Sequence, residues 1–127
     1  LSVHIPADGE LTKEACRASY RRAKDIFAKF YPQLDVKGFV CYSWMMSPEL
    51  KDHMRESSKV LEFASAYSRF PIHTEGEDVL NFVFYLKFKT YLDLPEDTSL
   101  QRSLKKLYIN GGRLYEYGGI FAADKIE

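Results

Sequence analysis

The sequence predicts an α/β (α+β) domain in which helices flank one mixed β-sheet. Three observations predict this class. Strand-like and helix-like segments follow one another along the whole chain, their apolar residues recur with the matching periods, and the first strand, helix and strand have the order of a right-handed crossover. With 127 residues the chain has the length of one domain, which we assign to residues 1–127.

The first strand and the first helix are separated by a turn of small residues. Apolar residues alternate along residues 1–6, and the proline at the end stops this strand. Residues 7–9 form the turn. A long helix is then expected over residues 11–31, because its apolar residues recur at spacings of three and four, with Thr12 or Asp8 as N-cap.

The most apolar strand comes next and is followed by two short helices. Residues 38–46 are apolar on both faces, so we expect them at the centre of the sheet. Serine followed by proline predicts the start of a helix over residues 47–54. A second helix is expected to begin near Ser57 or Ser58.

The second half of the chain is expected to form a hairpin, a helix and a last strand. Residues 70–74 and 79–89 are predicted to pair as an antiparallel hairpin across the polar turn EGED. A helix over residues 98–110 ends at a Gly-Gly pair that permits a left-handed exit. The last strand, over residues 113–123, is expected to be interrupted by a second Gly-Gly pair.

Charge and cysteine content exclude several functional classes. The chain has 18 basic and 18 acidic side chains, so it lacks the global field that attracts nucleic acid or an anionic membrane. Cys16 and Cys41 are too few for a disulfide framework or a four-ligand zinc site. We therefore expect a cytoplasmic protein that binds no metal. Because the sequence starts within a strand, we expect it to be a piece of a longer protein.

The junction after the first strand is the most informative place for function. A strand that leads through a small turn into a long helix directs unpaired N–H groups and the positive helix end outward, which suits phosphate or pyrophosphate. Gly9 would allow close approach of a ligand, and Lys13, Arg17 and Arg21 could contact further phosphates. An ordinary strand-to-helix turn with a solvated charged face is the alternative.

Several single side chains could carry chemistry, and each has a structural alternative. His4 could be a general base, because imidazole titrates near neutrality, or a packed strand residue. Ser43 needs a hydrogen-bond partner, which is either a ligand or the backbone. Cys41 has no local base and is expected to be a buried thiol. Tyr67 could line a pocket or belong to the core.

Four strings in the sequence carry a resemblance to a known family: VHIPADGEL, FVCYSWMMSPEL, SSKVLEF and LPEDTSLQRSLKKLYINGG. They resemble the C-terminal domain of bacterial GNAT-like acyltransferases, and the resemblance covers nearly the whole chain. It implies the C-terminal half of the GNAT fold with an extra C-terminal helix and strand. It also implies a partner in the N-terminal half of the same protein, and the exposed edge of the first strand would allow a homodimer.

The resemblance further implies transfer of an acyl group from acyl-CoA or acetyl-CoA to an amine, on a small molecule or a protein, by direct attack. The thioester would lie in a cleft between residues 3–5 and 39–41. His4 is the expected base, Ser43 the group that assists the leaving thiolate, and Tyr67 an alternative. The expected CoA-binding residues are Val3, Ile5, Asp8, Gly9, Leu11, Thr12, Lys13, Arg17 and Cys41. The second interpretation is a non-catalytic ligand-binding or interaction domain on the same scaffold.

Overall fold

The fold is built from helices packed on a small antiparallel sheet. The structure is a computed structural model and describes residues 1–85 and 88–126. In chain order the elements are α1 (Lys13–Phe30), β1 (Gly38–Ser43), α2 (Lys59–Ser65), β2 (Ser68–Pro71), α3 (Asp78–Phe82), α4 (Ser99–Ile109) and β3 (Tyr117–Ala122). Short 3-10 turns lie at Trp44–Met46, Pro48–Asp52, Tyr91–Asp93 and Ala123–Lys125.

The sheet has the strand order β1-β3-β2, with both pairings antiparallel. On the free edge of β1 the first residues of the chain run parallel to it, through a bridge between Ser2 and Val40. The pairing is therefore mixed, as predicted. The strand at the centre of the three is β3, so the prediction that residues 38–46 lie there is wrong. The last strand takes this place because it pairs with both β1 and β2.

The long first helix is confirmed, and Thr12 is its N-cap. The Thr12 hydroxyl accepts a hydrogen bond from the N–H of Ala15 at 3.3 Å, which satisfies one of the unpaired amides of the first turn. Tyr20 is the buried residue of α1 and stacks on Phe39 of β1 with 4.6 Å between ring centroids. The chain thus passes from residues 1–6, called the first segment below, through α1 into β1, which runs parallel to this segment. The predicted order is confirmed, but the first segment forms a single bridge and not the predicted strand.

The predicted hairpin is wrong. Residues 68–71 form β2, which pairs with β3, and Asp78–Phe82 is a helix rather than a strand. Val79 and Val83, four residues apart, are both buried, so one face of this segment packs as a helix face. Part of the predicted second strand, residues 86 and 87, lies outside the described residues.

Side chains attach the loop before α3 to the segment before β3. The hydroxyl of Tyr108 donates to the carbonyl of Gly76 at 2.9 Å and accepts from the N–H of Leu114 at 3.3 Å. Two residues further along each segment, the carboxylate of Glu116 accepts from the N–H of Asp78 at 2.6 Å. Three hydrogen bonds through two side chains, two of them buried and one partly buried, therefore hold these segments side by side.

Two of the three remaining predicted helices are close to their predicted positions, whereas the predicted helix over residues 47–54 is wrong and is a 3-10 turn at Pro48–Asp52. Ser58 caps α2 and Thr98 caps α4, and in α4 the reciprocal bond to Gln101 completes a capping box. Gly111 has φ +84°, the left-handed exit that the sequence predicts after this helix.

The strand β3 runs through Gly118 and Gly119 without the predicted interruption. The ring of Phe70 occupies the space where a side chain of Gly118 would lie, since a Cβ there would be 2.4 Å from its Cε2. Phe70 in turn meets Tyr42 edge-on, with 6.2 Å between centroids. Gly118 therefore allows Phe70 to pack closely against the strand, and the glycine pair does not interrupt the strand.

Buried apolar residues form two clusters. One lies between the sheet and the helices α1 and α2, with Tyr20, Phe39, Cys41, Met46, Phe63, Ala64, Tyr67, Phe121 and Ala123. The other surrounds α3 and α4, with Trp44, Leu50, Val79, Val83, Phe84, Leu94, Leu104, Tyr108 and Leu114. Within residues 1–85 and 88–126, no helix combines the length and the apolar character needed to span a membrane.

Candidate functional site

The first segment and β1 pair briefly and then separate. The N–H of Val40 donates to the carbonyl of Leu1 at 2.8 Å, and the N–H of Val3 donates to the carbonyl of Val40 at 2.7 Å. No backbone hydrogen bond joins residues 4–6 to residues 41–43, all of which the structure describes. Strand alternation directs the N–H and carbonyl of Tyr42 to the same edge as those of Val40, so they face the gap. The two segments form a fork.

The fork opens into a cleft of about 480 Å³. The lining includes seven residues that the sequence analysis selects: Val3, His4, Ile5, Gly9, Leu11, Cys41 and Ser43. The other lining residues are Pro6, Ala7, Tyr42, Trp44, Met45, Asp78, Phe82 and Tyr85. The structure thus brings the candidate base, the candidate hydroxyl and residues 3–6 of the first segment together around one cavity.

His4 and Ser43 face this cleft with different local partners. The imidazole of His4 is exposed, and its Nε2 lies 3.3 Å from the hydroxyl oxygen of Ser2. The hydroxyl of Ser43 accepts from the N–H of Met45 at 3.1 Å and caps the turn that follows β1. The backbone is therefore the partner of Ser43, and its hydroxyl hydrogen remains available to a group in the cleft.

The turn between the first segment and α1 is tight at Gly9. The N–H of Gly9 donates to the carbonyl of Pro6 at 2.9 Å, and a Cβ at Gly9 would lie 3.0 Å from that oxygen. Glycine therefore relieves a close contact in the turn itself, and this N–H is not available to a phosphate. Asp8 is exposed, while Thr12 donates to the carboxylate of Glu10 at 3.0 Å.

The basic residues of α1 lie beside the turn rather than in the cleft. Lys13 and Arg17 border a shallow concavity of about 290 Å³ together with Glu14 and Arg21. They also border a second cavity, of about 320 Å³, on the side of α1 that faces α2. A ligand that reaches from the fork to these side chains must pass the beginning of α1.

Tyr67 is not in the cleft, and Cys41 is a buried part of its wall. The hydroxyls of Tyr67 and Tyr20 are hydrogen-bonded to each other in the core, at the second cavity. Burial raises the pKa of Tyr20 to about 12 and also raises the pKa of Tyr67. Burial raises the pKa of the Cys41 thiol to about 11, so this thiol stays protonated and acts as an apolar packing group.

One wall of the cleft, which α3 provides, does not follow from the predicted elements. Asp78, Phe82 and Tyr85 line the cleft, but the predicted hairpin assigned this region to a turn and a strand. Two signals indicate the helix: acidic residues at its start and the i, i+4 spacing of Val79 and Val83. Tyr85 has φ +57°, an uncommon conformation for a tyrosine, and is 67% exposed.

One protein family matches almost the whole chain. The sequence model of this family, described as "GNAT-like C-terminal domain", matches residues 1–121. The chain belongs to this family. Among curated proteins none matches the chain.

Solved acyltransferases share the fold of this GNAT-like C-terminal domain. An acyltransferase in complex with decanoyl-CoA and teicoplanin has a TM-score of 0.85 and 23% identity over 96% of the chain. An acyltransferase in complex with CoA and 10C-teicoplanin has a TM-score of 0.86 and 23% identity over 97% of the chain. A mutant acyltransferase in complex with octanoyl-CoA has a TM-score of 0.84 and 23% identity over 95% of the chain. The match covers 40% of each of those chains. At this identity the likeness confirms the fold, and the chain spans about 40% of the length of these structures.

Proposed function

We propose that this domain provides the CoA-binding part of an acyltransferase that moves an acyl group from acyl-CoA to an amine or similar acceptor. The observation that carries the proposal is the fork, which opens a cleft between His4 and Ser43 beside the start of α1. The solved acyltransferases that share this fold have CoA or acyl-CoA bound. We infer that the domain works together with a preceding N-terminal half of the same protein.

The open edges of the fork suit the pantetheine arm of CoA. This arm is extended and carries amide groups, so it can pair with a strand edge as a peptide does. The N–H groups of Ile5 and Tyr42 are the donors that the separation of the two segments leaves at that edge. Val3, Leu11 and the buried Cys41 supply apolar surface for the rest of the arm and the acyl group.

The start of α1 suits the phosphate groups. The N–H groups of Lys13 and Glu14 are in the first turn and have no acceptor within the helix. The side chains of Lys13 and Arg17 lie next to them. Asp8 is exposed at the same turn, so its negative charge opposes the binding of a phosphate.

The reaction needs no covalent enzyme intermediate. His4 takes a proton from the acceptor amine, and the amine nitrogen attacks the thioester carbonyl carbon. The N–H donors of the fork stabilise the oxyanion. The C–N bond forms and the C–S bond breaks while Ser43 donates a hydrogen bond to the leaving sulfur. An acceptor that arrives as an ammonium loses two protons: His4 passes one to the thiolate, and solvent takes the other. Tyr67 has no role in this scheme, because its hydroxyl is paired with Tyr20 in the core.

Ligand-induced stabilisation tests the binding step. Free CoA and a medium-chain acyl-CoA are added to this chain and to the full-length protein that carries it. At a hundredfold excess over Kd, binding adds about 2.7 kcal/mol of stability, a rise in Tm of roughly 8–13 °C. Lys13→Gln should reduce the rise, while Lys29→Gln, at the other end of α1, should not. Absence of any rise with both ligands and both proteins contradicts the proposal.

Turnover tests the base. With an amine acceptor, His4→Gln should lower kcat about a hundredfold or more and leave the CoA-induced rise in Tm unchanged. His73→Gln changes another exposed histidine that does not line the cleft and is the matched control. Equal turnover of the His4 and His73 variants across pH removes His4 from the mechanism.

The second candidate function is a non-catalytic ligand-binding or interaction domain. The exposed carboxylates of Asp8 and Glu10 beside the single glycine of the turn favour it, since they weaken a phosphate site. CoA binding without turnover in the full-length protein, or no CoA binding at all, would support this second function.

A further inference from the structure

A buried carboxylate stands behind one wall of the cleft. Glu116 is only 6% exposed, and its Oε1 accepts the N–H of Asp78 at 2.6 Å. Its Oε2 has no hydrogen-bond partner, and no cationic side chain pairs with Glu116, within the described part of the chain. Burial of a carboxylate without a counter-charge is costly, so this position calls for a nearby positive charge or proton.

The carboxyl group of Asp78 lies against that of Glu116. Burial and the negative charge of Glu116 raise the pKa of Asp78. Without a ligand Asp78 therefore retains a proton more readily than a free aspartate does. A cation next to Asp78 would replace that proton.

Asp78 also belongs to the cleft. Of the residues that the structure describes, Asp78 provides the one carboxyl group in the lining, and no lysine or arginine lines it. Three aromatic residues of the lining are more than half exposed: Tyr42 at 56%, Phe82 at 55% and Tyr85 at 67%. Phe82 lies four residues after Asp78, on the same face of α3. A carboxylate that shares a cleft with open aromatic rings favours a cation.

We propose that Asp78, supported from behind by Glu116, binds the positively charged amino group of the acyl acceptor, and that the surrounding aromatic rings contact the body of that acceptor. This inference rests on the proposed function and assigns the acceptor side of the same cleft. Asp78 is the residue that touches the acceptor. Glu116 is a positioning residue: it holds the N–H of Asp78 and keeps negative charge behind it. Primary amines are therefore preferred over neutral hydroxyl acceptors of the same shape.

Phenethylamine and 2-phenylethanol are suitable probes, because they differ in the charged group alone. Their affinities for the full chain are measured by NMR titration, without CoA, so the result does not depend on acyl transfer. The amine is expected to bind roughly tenfold or more tighter than the alcohol, as for a charge-assisted bond. Its affinity should fall as the pH is lowered through the raised pKa of Asp78. Equal affinity for both probes overturns the proposal.

Three variants distinguish the role of Asp78, which binds the amine, from that of Glu116, which positions Asp78. Asp78→Asn should remove the preference for the amine and its pH dependence, while Glu77→Gln, which neutralises the adjacent exposed carboxylate outside the cleft lining, should keep both. Glu116→Gln should weaken amine binding less and move its pH midpoint down, because it removes the charge that raises the pKa of Asp78. Amine binding unchanged in Asp78→Asn contradicts the proposal. A pKa of Asp78 at or below 3.8 in the free protein would also contradict the proposal. It would mean that a positive charge of the protein itself already pairs with this carboxylate.

The acyltransferase function and the cation site at Asp78 can be contradicted independently of each other. If the amine binds through Asp78 but no acyl-CoA is bound or consumed, the acyltransferase function is contradicted and the cation site stands. If acyl transfer occurs and Asp78→Asn changes neither the KM for the amine nor its affinity, the cation site is contradicted and the function stands. Should Asp78→Asn not fold, the comparison of the two probes on the unmodified chain still decides.

Discussion

Removal of one hydroxyl group, in Tyr108→Phe, should destabilise the domain and loosen the wall that carries Asp78. Tyr108 is 1% exposed, and its hydroxyl bonds both the carbonyl of Gly76 and the N–H of Leu114. Gly76 and Leu114 are buried, so water cannot readily replace the hydroxyl. The substitution keeps the ring and its packing and removes the link between two segments of the chain.

The magnitude follows from the two bonds. A buried group left without a partner costs about 1–3 kcal/mol. The bond to Gly76 has near-ideal length, whereas the bond from Leu114 is long at 3.3 Å and contributes less. We expect a loss of about 2–3 kcal/mol in the free energy of unfolding, or a fall in Tm of roughly 6–12 °C.

Urea denaturation followed by circular dichroism measures this loss. The midpoint should fall while the m-value stays constant. Tyr91→Phe is the matched control, because Tyr91 contacts the ring of Tyr108 but its hydroxyl has no hydrogen bond to the described residues. A loss below about 0.5 kcal/mol in Tyr108→Phe, or an equal loss in both variants, would refute the reasoning, since surface-like changes have effects of that size.

Three further predictions concern the core, a helix end and pH. Leu104→Ala should cost about 2–5 kcal/mol of unfolding free energy, because Leu104 is 0% exposed, while Ile109→Ala, at a 44% exposed position of the same helix, should cost under about 1 kcal/mol by denaturant titration. Gly111→Ala should cost about 1 kcal/mol through its φ of +84° alone, since a Cβ there meets no atom within 4 Å, and an equally stable variant would contradict this. Cys41 and Tyr20 bind protons more tightly in the folded chain, with pKa values raised from 9.0 and 10.0 to about 11 and 12. The contribution of these two groups to stability should therefore be constant up to about pH 9 and fall as the pH rises toward 12, and a melting temperature that does not change between pH 9 and 12 would refute the assignment.

The sequence predicts those elements whose signals are local. Thr12, Thr98 and Gly111 each fix a helix end through neighbouring residues, so the ends of α1 and α4 follow from the sequence. The strand predicted after residue 77 is wrong because a short apolar run fits a strand and a buried helix equally well. Its helical form depends on packing against α4, whose Gln101 donates to the carbonyl of Val83 at 3.0 Å.

The residues of the candidate site also differ in how far the sequence predicts their positions. His4 and the turn at Gly9 are adjacent in the sequence, and strand order brings Ser43 to them, so the fork is within reach of sequence analysis. Asp78 and Glu116 are 38 residues apart and meet only in the folded chain. Tyr67 lies apart from the cleft, because its hydroxyl meets Tyr20, 47 residues away, in the core. Side-chain partners at such separations are not encoded in any local pattern.

Because Gly118 has no side chain, two aromatic rings connect the central strand to the cleft. The ring of Phe70 lies over Gly118, and Tyr42, which it meets edge-on, is part of the cleft lining. A methyl group introduced at position 118 must displace the first ring, which then pushes on the second. The width of the cleft can therefore be changed from a strand position that does not line it, and a smaller residue at position 70 should reverse the change.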